Sequence, residues 1–399
     1  AFFKSMNLYL KTNAFKATES HHFRLAAEEV TGQDLNWFFN QWYFGKGYPT
    51  LDISYDYSKP GFAGVTIEQK GEKIFDLPIA IDVYEGGKKT RHKVRITEKT
   101  SNFSFPVNGK PDFVNVDGDK ILILEKTDRR NLATYVFQYK NAPTYRDRRE
   151  AIEECLKQQT GNADARATVI AALKDKFSGL RAIAIAGLKM DNNDVKAAAL
   201  PVLLDLAKND PAAPVRAASL KQISKLKDPQ HTALFEAALK DRSYLVEGAG
   251  LVGLADLDLK KAYPLAKSME KDARGALGTA IANVYAQNGS EADVPYFATN
   301  LANSTGQDKI GAAILYLGIL GQIDNTALVT KGVDDVTDAI TQFNNNWVNN
   351  YIMNLMQPIA KKKQEKAAAS SGELRNELSK QASHILQTVQ KIKEQTKED

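Results

Sequence analysis

Residues 37–51 read W-F-F-N-Q-W-Y-F-G-K-G-Y-P-T-L, and the chain changes character inside them. Leu35, Phe38, Phe39 and Trp42 fall at helical spacing and make one apolar face. Gly45 and Gly47 then stop the helix, and Pro49, which has no backbone N–H, forbids its resumption. A domain border therefore falls at residue 49. Upstream, Phe2, Phe3, Met6 and Leu10 recur with the helical period, and Thr18 or Ser20 can cap a second helix running through Leu25, Ala26 and Val30 to Gly32. Three short helices thus fill residues 1–49.

Beyond Pro49 the period becomes two. Leu51, Ile53 and Tyr55 alternate with polar residues, as do Val65 and Ile67, and Leu77, Ile79, Ile81 and Val83 make the clearest case. His92–Ile96, Phe103–Phe105 and Ile121–Leu124 add further strands, with Pro- or Gly-containing turns at 59–61, 70–71, 85–88 and 108–111. About seven short strands with no helix between them predict a small antiparallel β-sandwich over residues 50–127. Asn115-Val116-Asp117-Gly118-Asp119 offers oxygens like part of a calcium loop, but the Glu expected at the twelfth position is missing, so the stretch reads as a turn into the final strand.

After Asp128 the sequence is helical to its end, rich in alanine, and repetitive. Segments beginning at Arg181, Arg216, Glu247, Arg274 and Gly311 share a small-residue start and an apolar end, and their first residues lie 35, 31, 27 and 37 apart. Asp210-Pro211 and Asp228-Pro229 mark helix breaks, and Pro214-Val215-Arg216-Ala217-Ala218 resembles the HEAT-repeat signature. A helix pair of this kind cannot bury its apolar face alone, so residues 128–399 are expected to stack into an all-α, HEAT/ARM-like superhelical domain with a concave side. Arg181, Arg216 and Arg274 are expected to serve packing between repeats. Trp347, Tyr351, Ile352 and Leu355 form a late face expected to cap the array. After Lys361-Lys362-Lys363, the sparse stripe Leu374, Leu378, Ile385, Val389 and Ile392 reads as a solvated last helix packed along it.

Composition is that of a globular protein, 43% hydrophobic and 25% charged, without an apolar run long enough to cross a bilayer. The net charge of +5 is mild and no basic stripe is interleaved with aromatics, so no nucleic-acid partner is expected. Nothing fixes the compartment. The single cysteine, Cys155, excludes an internal disulfide and lies on an apolar helix face with Ala151, Ile152 and Leu156, which fits a buried small residue better than a nucleophile. Five histidines are present, His21, His22, His92, His231 and His384. None stands four residues from another, and adjacent His21 and His22 should point to different sides of a helix, so they read as solvated surface residues. Adjacent acids such as Glu28-Glu29 and Glu153-Glu154 diverge on a helix and make poor catalytic pairs. No residue of this chain is therefore nominated as catalytic or metal-binding, and the substrate-contacting residues stay open.

The ordered elements F-F-x-x-x-x-x-Y-L, A-x-E-E-V-T-G-x-D-L-x-x-F-F-x-Q-W and G-Y-P-x-L, spread over Phe2–Leu51, resemble the last part of the catalytic domain of M1-type zinc aminopeptidases, the gluzincin family of aminopeptidase N. Phe75-Asp76-Leu77-Pro78-Ile79 resembles the F-x-L-P strand of the sandwich that follows in that family, and a HEAT-like domain completes the resemblance. It implies a metallopeptidase, a hydrolase that removes amino-terminal residues from peptides by attack of zinc-activated water. The family's zinc motif H-E-x-x-H, its distant Glu, its G-x-M-E-N and its oxyanion Tyr precede the matched stretch and have no counterpart here. The chain, starting at Ala1 already in a helical pattern, is therefore expected to be the carboxy-terminal fragment of a longer enzyme. Zinc would belong to the parent, and the chain would need no cofactor itself. Its partners would be the remainder of the catalytic domain and, in the parent, peptide substrates. It would supply sandwich spacer and helical chamber wall, and on its own would be inactive. The competing expectation is a non-catalytic HEAT-like scaffold that grips a protein partner.

Overall fold

The computed structural model describes residues 1–395, and its chain divides into two compact units, Ala1–Val169 and Ile170 onward. The first unit opens with α1 (Phe2–Thr12), α2 (Ser20–Thr31) and α3 (Asn36–Trp42). Glu19, rather than Thr18 or Ser20, caps α2: its side chain accepts a backbone N–H of the first turn while His22 Nδ1 accepts from the Glu19 N–H at 3.0 Å. Gly32 closes the helix in the left-handed region, at φ 66°.

Seven strands follow: β1 (Thr50–Asp56), β2 (Phe62–Gln69), β3 (Leu77–Glu85), β4 (Lys88–Ile96), β5 (Thr100–Pro106), β6 (Phe113–Val116) and β7 (Glu125–Asp128). They form two sheets, ordered β5-β2-β1-β7 and β4-β3-β6. Leu51, Ile53, Val65 and Ile67 from one sheet share a core with Leu77, Ile79, Ile81 and Val83 from the other, as the alternation requires. Every ladder is antiparallel except β1 with β7, where Thr50 pairs with Glu125 and Ile53 with Asp128 in parallel.

The expected strand at Ile121–Leu124 is not one. The Asp117 carboxylate accepts the N–H groups of Ile121 and Leu122 and so holds this stretch out of a ladder, and pairing begins only at Glu125. Leu122 and Leu124 still pack on the core while Ile121 and Ile123 are exposed, so the alternation was real but unpaired. Conversely, Asn115 and Val116, read as turn, end the fully buried strand β6. A strand covered on both faces carries no alternation to read.

Helices α4 (Leu132–Asn141), α5 (Tyr145–Gln158) and α6 (Ala163–Ala172) follow, with Asn131 and Thr144 capping the first two through their side chains. In the second unit come α7 (Ser178–Ala186), α8 (Asn193–Asn209), α9 (Ala213–Ser224), α10 (Thr232–Ala238), α11 (Tyr244–Leu257) and α12 (Leu259–Met269). They are succeeded by α13 (Gly275–Asn288), α14 (Val294–Asn303), α15 (Gly306–Leu320), α16 (Thr326–Thr341), α17 (Asn346–Ala368) and α18 (Gly372–Gln395). The five repeat segments fall on α7, α9, α11, α13 and α15, which pack on one another in series, with α9, α11, α13 and α15 also packed by sequence neighbours. Small residues permit the approach: a Cβ on Gly248 of α11 would lie 2.7 Å from the Ala276 carbonyl oxygen of the next repeat.

Arg181 and Arg216 do serve the packing between repeats. The Arg181 guanidinium forks onto Asp210 at 2.7 and 2.8 Å and donates to the Asp175 carbonyl; Arg216 repeats the geometry one repeat on, forking onto Asp241 and donating to the Asp210 carbonyl. Glu247 occupies the next equivalent position, and the ladder stops there because an acid cannot donate.

At the far end, α17 continues through Lys361–Lys363 to Ala368, with Lys363 buried and its ammonium on the Ile323 carbonyl. Helix α18 lies along α16 and α17 on Leu378, Ile385, Val389 and Ile392, while Leu374 stays exposed. Ile352 is buried, but Trp347 and Tyr351 face outward, stacked at 5.6 Å, so these two aromatics take no part in capping the core.

Candidate functional site

The first three helices carry an aromatic surface with two sides. On one side α3 is fixed to the sandwich. The Gln41 side chain donates to the Asp76 carbonyl at 3.0 Å and accepts the Asp76 N–H at 2.7 Å, and Trp42 packs on Phe75 with ring centres 5.4 Å apart. On the other side Phe2, Tyr9, Phe23 and Phe39 form a chain of edge-on contacts, of which only Phe39 is fully buried. Phe2, Phe3, Leu10, Phe15, Leu25 and Phe38, on α1–α3 and the segment joining α1 to α2, are exposed, Phe3 at 85%. The expected apolar face of α3 is thus split: Phe39 turns inward and Phe38 outward.

The histidines do not gather. His21 and His22 do not diverge as expected; their rings lie 4.2 Å apart, because both lean back toward Glu19, one in the cap and one in an ion pair at 3.2 Å. His92 stacks on Phe105 at 4.3 Å, His384 meets Asp334 at 2.8 Å, and His231 is buried rather than solvated, in the short turn before α10. Among the described residues no three His, Cys, Asp or Glu side chains are placed to hold a metal ion. The polar side chains of 115–119 are occupied within the protein: Asp117 accepts from backbone, Asp119 pairs with Arg91, and Asn115 donates to Asp147. Glu28 holds Arg24, Glu153 holds Arg149 and Glu154 holds Lys157, so the adjacent acids do separate. Cys155 is buried, and burial pushes its thiol up to about 11.

Sequence reasoning missed a buried polar network where α4 and α5 meet the sandwich. Arg130 contacts Asp128 at 2.9 Å and Gln138 at 2.6 Å and lies over the rings of Phe113 and Tyr135. Asp128 accepts from Tyr55, Lys126 bridges Asp128 to Glu150, and Lys120 reaches Asp147 and Asn115. Burial, aided by Lys126, lowers the Lys120 pKa. The partners lie up to 73 residues apart, so no local spacing announces them. Apart from the Arg130 Nε, which is buried without a hydrogen-bond partner, these donors and acceptors engage one another, and the network fixes the helix pair on the sandwich. A larger opening, of about 740 Å³, lies in the second unit between α13 and α14.

Residues 136–224 match the HEAT-repeat family. No curated protein matches the chain. Among solved structures, aminopeptidase A of Legionella pneumophila, in complex with aspartic acid, superposes with a TM-score of 0.57 at 13% identity, covering 96% of this chain and 54% of that one. The CpcE–CpcF complex of phycocyanin lyase from Nostoc sp. PCC7120 gives a TM-score of 0.40 at 18% identity, over 67% of this chain and 96% of that one. The chain therefore has the fold of about half of an aminopeptidase structure, with HEAT repeats within it.

Proposed function

We propose that this chain is the carboxy-terminal part of an M1-type zinc aminopeptidase, in which α1–α3 complete the catalytic domain, the sandwich is a spacer and the helical array is the wall or lid of a peptide chamber. The observation that carries this reading is the aromatic surface of α1–α3. A soluble surface rarely leaves so many large apolar side chains together without a partner, and here they coincide with the ordered motif elements of Phe2–Leu51. The aminopeptidase fold spanning 96% of the chain supports the order of the parts.

The residues of this chain do not fit the zinc. His21 and His22 adjoin in a helix cap, and the other histidines lie apart, each in its own packing contact. The metal and the catalytic acids would come from the preceding part of the protein, and this chain contributes binding surface and enclosure. Two measurements test the reading together. The coding sequence upstream of Ala1 should hold H-E-x-x-H, a downstream Glu and G-x-M-E-N in frame, and the full product should hydrolyse aminoacyl-anilides in a chelator-sensitive way while residues 1–399 alone do not. A degenerate upstream motif, or chelator-sensitive turnover by residues 1–399 alone, overturns it.

A further inference from the structure

The opening between α13 and α14 has the features of a ligand site in its own right. Its volume of about 740 Å³ is of the size that takes small molecules. The Tyr296 hydroxyl donates to the Gly278 carbonyl at 3.1 Å, tying the two helices together at the opening, and residues 270–275 and 303–305 complete its lining with α13 and α14. A network fixes one wall. Lys267 pairs with Asp293 at 2.5 Å and lies over the Tyr285 ring, Tyr285 donates to Glu270 at 2.7 Å, and Tyr263 donates to Asp293 at 2.8 Å.

Two features set this opening apart. Arg274, expected to pack between repeats like Arg181 and Arg216, does not: its guanidinium donates to the neighbouring Ala273 carbonyl, and it lines the opening with Lys271. Among the described residues neither cation has a carboxylate within ion-pair distance, whereas Arg181, Arg216 and Lys267 each hold one. Two carboxylates also line it, Glu270, which is held by Tyr285 and Lys267, and Asp308; the remaining polar lining is amide and hydroxyl, from Thr279, Tyr296, Thr299, Asn300, Asn303 and Ser304. Such groups donate and accept in equal measure and suit a molecule rich in hydroxyls, while the two free cations suit one anionic substituent on it.

We propose that this opening binds a small polyhydroxy anion, a sugar bearing a phosphate or a carboxylate, with Arg274 and Lys271 on the anionic group and the α14 amides and hydroxyls on the ring. The proposal rests on the lining of this opening alone, so it stands or falls independently of the aminopeptidase reading.

The test is titration calorimetry on the full chain with glucose 6-phosphate, glucuronate, glucose and inorganic phosphate, each at moderate salt. At least one of the charged sugars should bind about tenfold or more tighter than both glucose and inorganic phosphate, and which of the two wins identifies the anionic group. The double variant Arg274→Gln/Lys271→Gln should weaken that binding by about tenfold or more without shifting the melting temperature, since both side chains are exposed. Asn300→Ala, which keeps both cations, should weaken the charged sugar but not inorganic phosphate. Absence of binding by both charged sugars overturns the proposal. So does phosphate binding as tightly as the sugar phosphate, or affinity that survives the double variant.

Discussion

Replacing Asp210 by alanine tests the inter-repeat ladder. The Asp210 carboxylate is 3% exposed and the Arg181 guanidinium 11%, so solvent screens the pair little. The substitution removes both charge-assisted bonds to Arg181, at 2.7 and 2.8 Å, and the 2.8 Å bond that the carboxylate accepts from the Ala212 N–H at the entry to α9. It leaves a buried guanidinium with only backbone carbonyls as partners. Removing one partner of such a pair costs about 3–5 kcal/mol, because the surviving charge stays desolvated. For a unit of this size, that corresponds to a fall of about 6–20 °C in melting temperature, read by far-ultraviolet circular dichroism. Replacing both residues, as Arg181→Met with Asp210→Leu, should recover much of the loss because no unpaired charge remains. A fall of under about 2 °C for the single variant would refute the reasoning, since it would mean that the guanidinium finds water at no cost.

Two further outcomes follow from the packing. Gly248→Ala should lower stability by about 1–3 kcal/mol, because the added methyl meets the backbone of Ala276 and Leu277 at 2.7 to 3.2 Å rather than a side chain that could swing away; an unchanged urea midpoint would show that α11 and α13 slide apart freely. Asp241 is held below its ordinary value of 3.8, chiefly by its hydrogen bonds with Arg216, so its stabilising effect is full above the unfolded value and lost as pH falls through the folded one. The stability advantage of the natural protein over Asp241→Asn should therefore hold at neutral pH and shrink as the medium is made strongly acid, and an advantage that grows on acidification would contradict that sign.

The aromatic surface was legible as residues but not as a surface. Helical spacing placed Phe2, Phe3 and Phe38 on helices, yet only the fixation of α3 by Gln41 and Trp42 shows which sides stay uncovered. Arg274 is the reverse case. Its place in the sequence repeat matches Arg181 and Arg216, but those two are the fourth residues of α7 and α9 whereas Arg274 only precedes α13, and among the described residues it has no carboxylate partner.

What the sequence determined by itself is the order of parts. The change from helical period to alternation at Pro49, the return to helix after Asp128, and the spacing of five small-residue segments each record which face of an element must leave water, and that pressure acts locally on every residue. What only the tertiary structure decided depends on partners distant in the chain. The parallel pairing of β7 with β1, the release of Ile121–Leu124 by Asp117, and the network joining Arg130, Asp128 and Tyr55 are of this kind. A hydrogen bond or ion pair needs two groups brought to about 3 Å, and the sequence writes each group down without writing down its distance from the other.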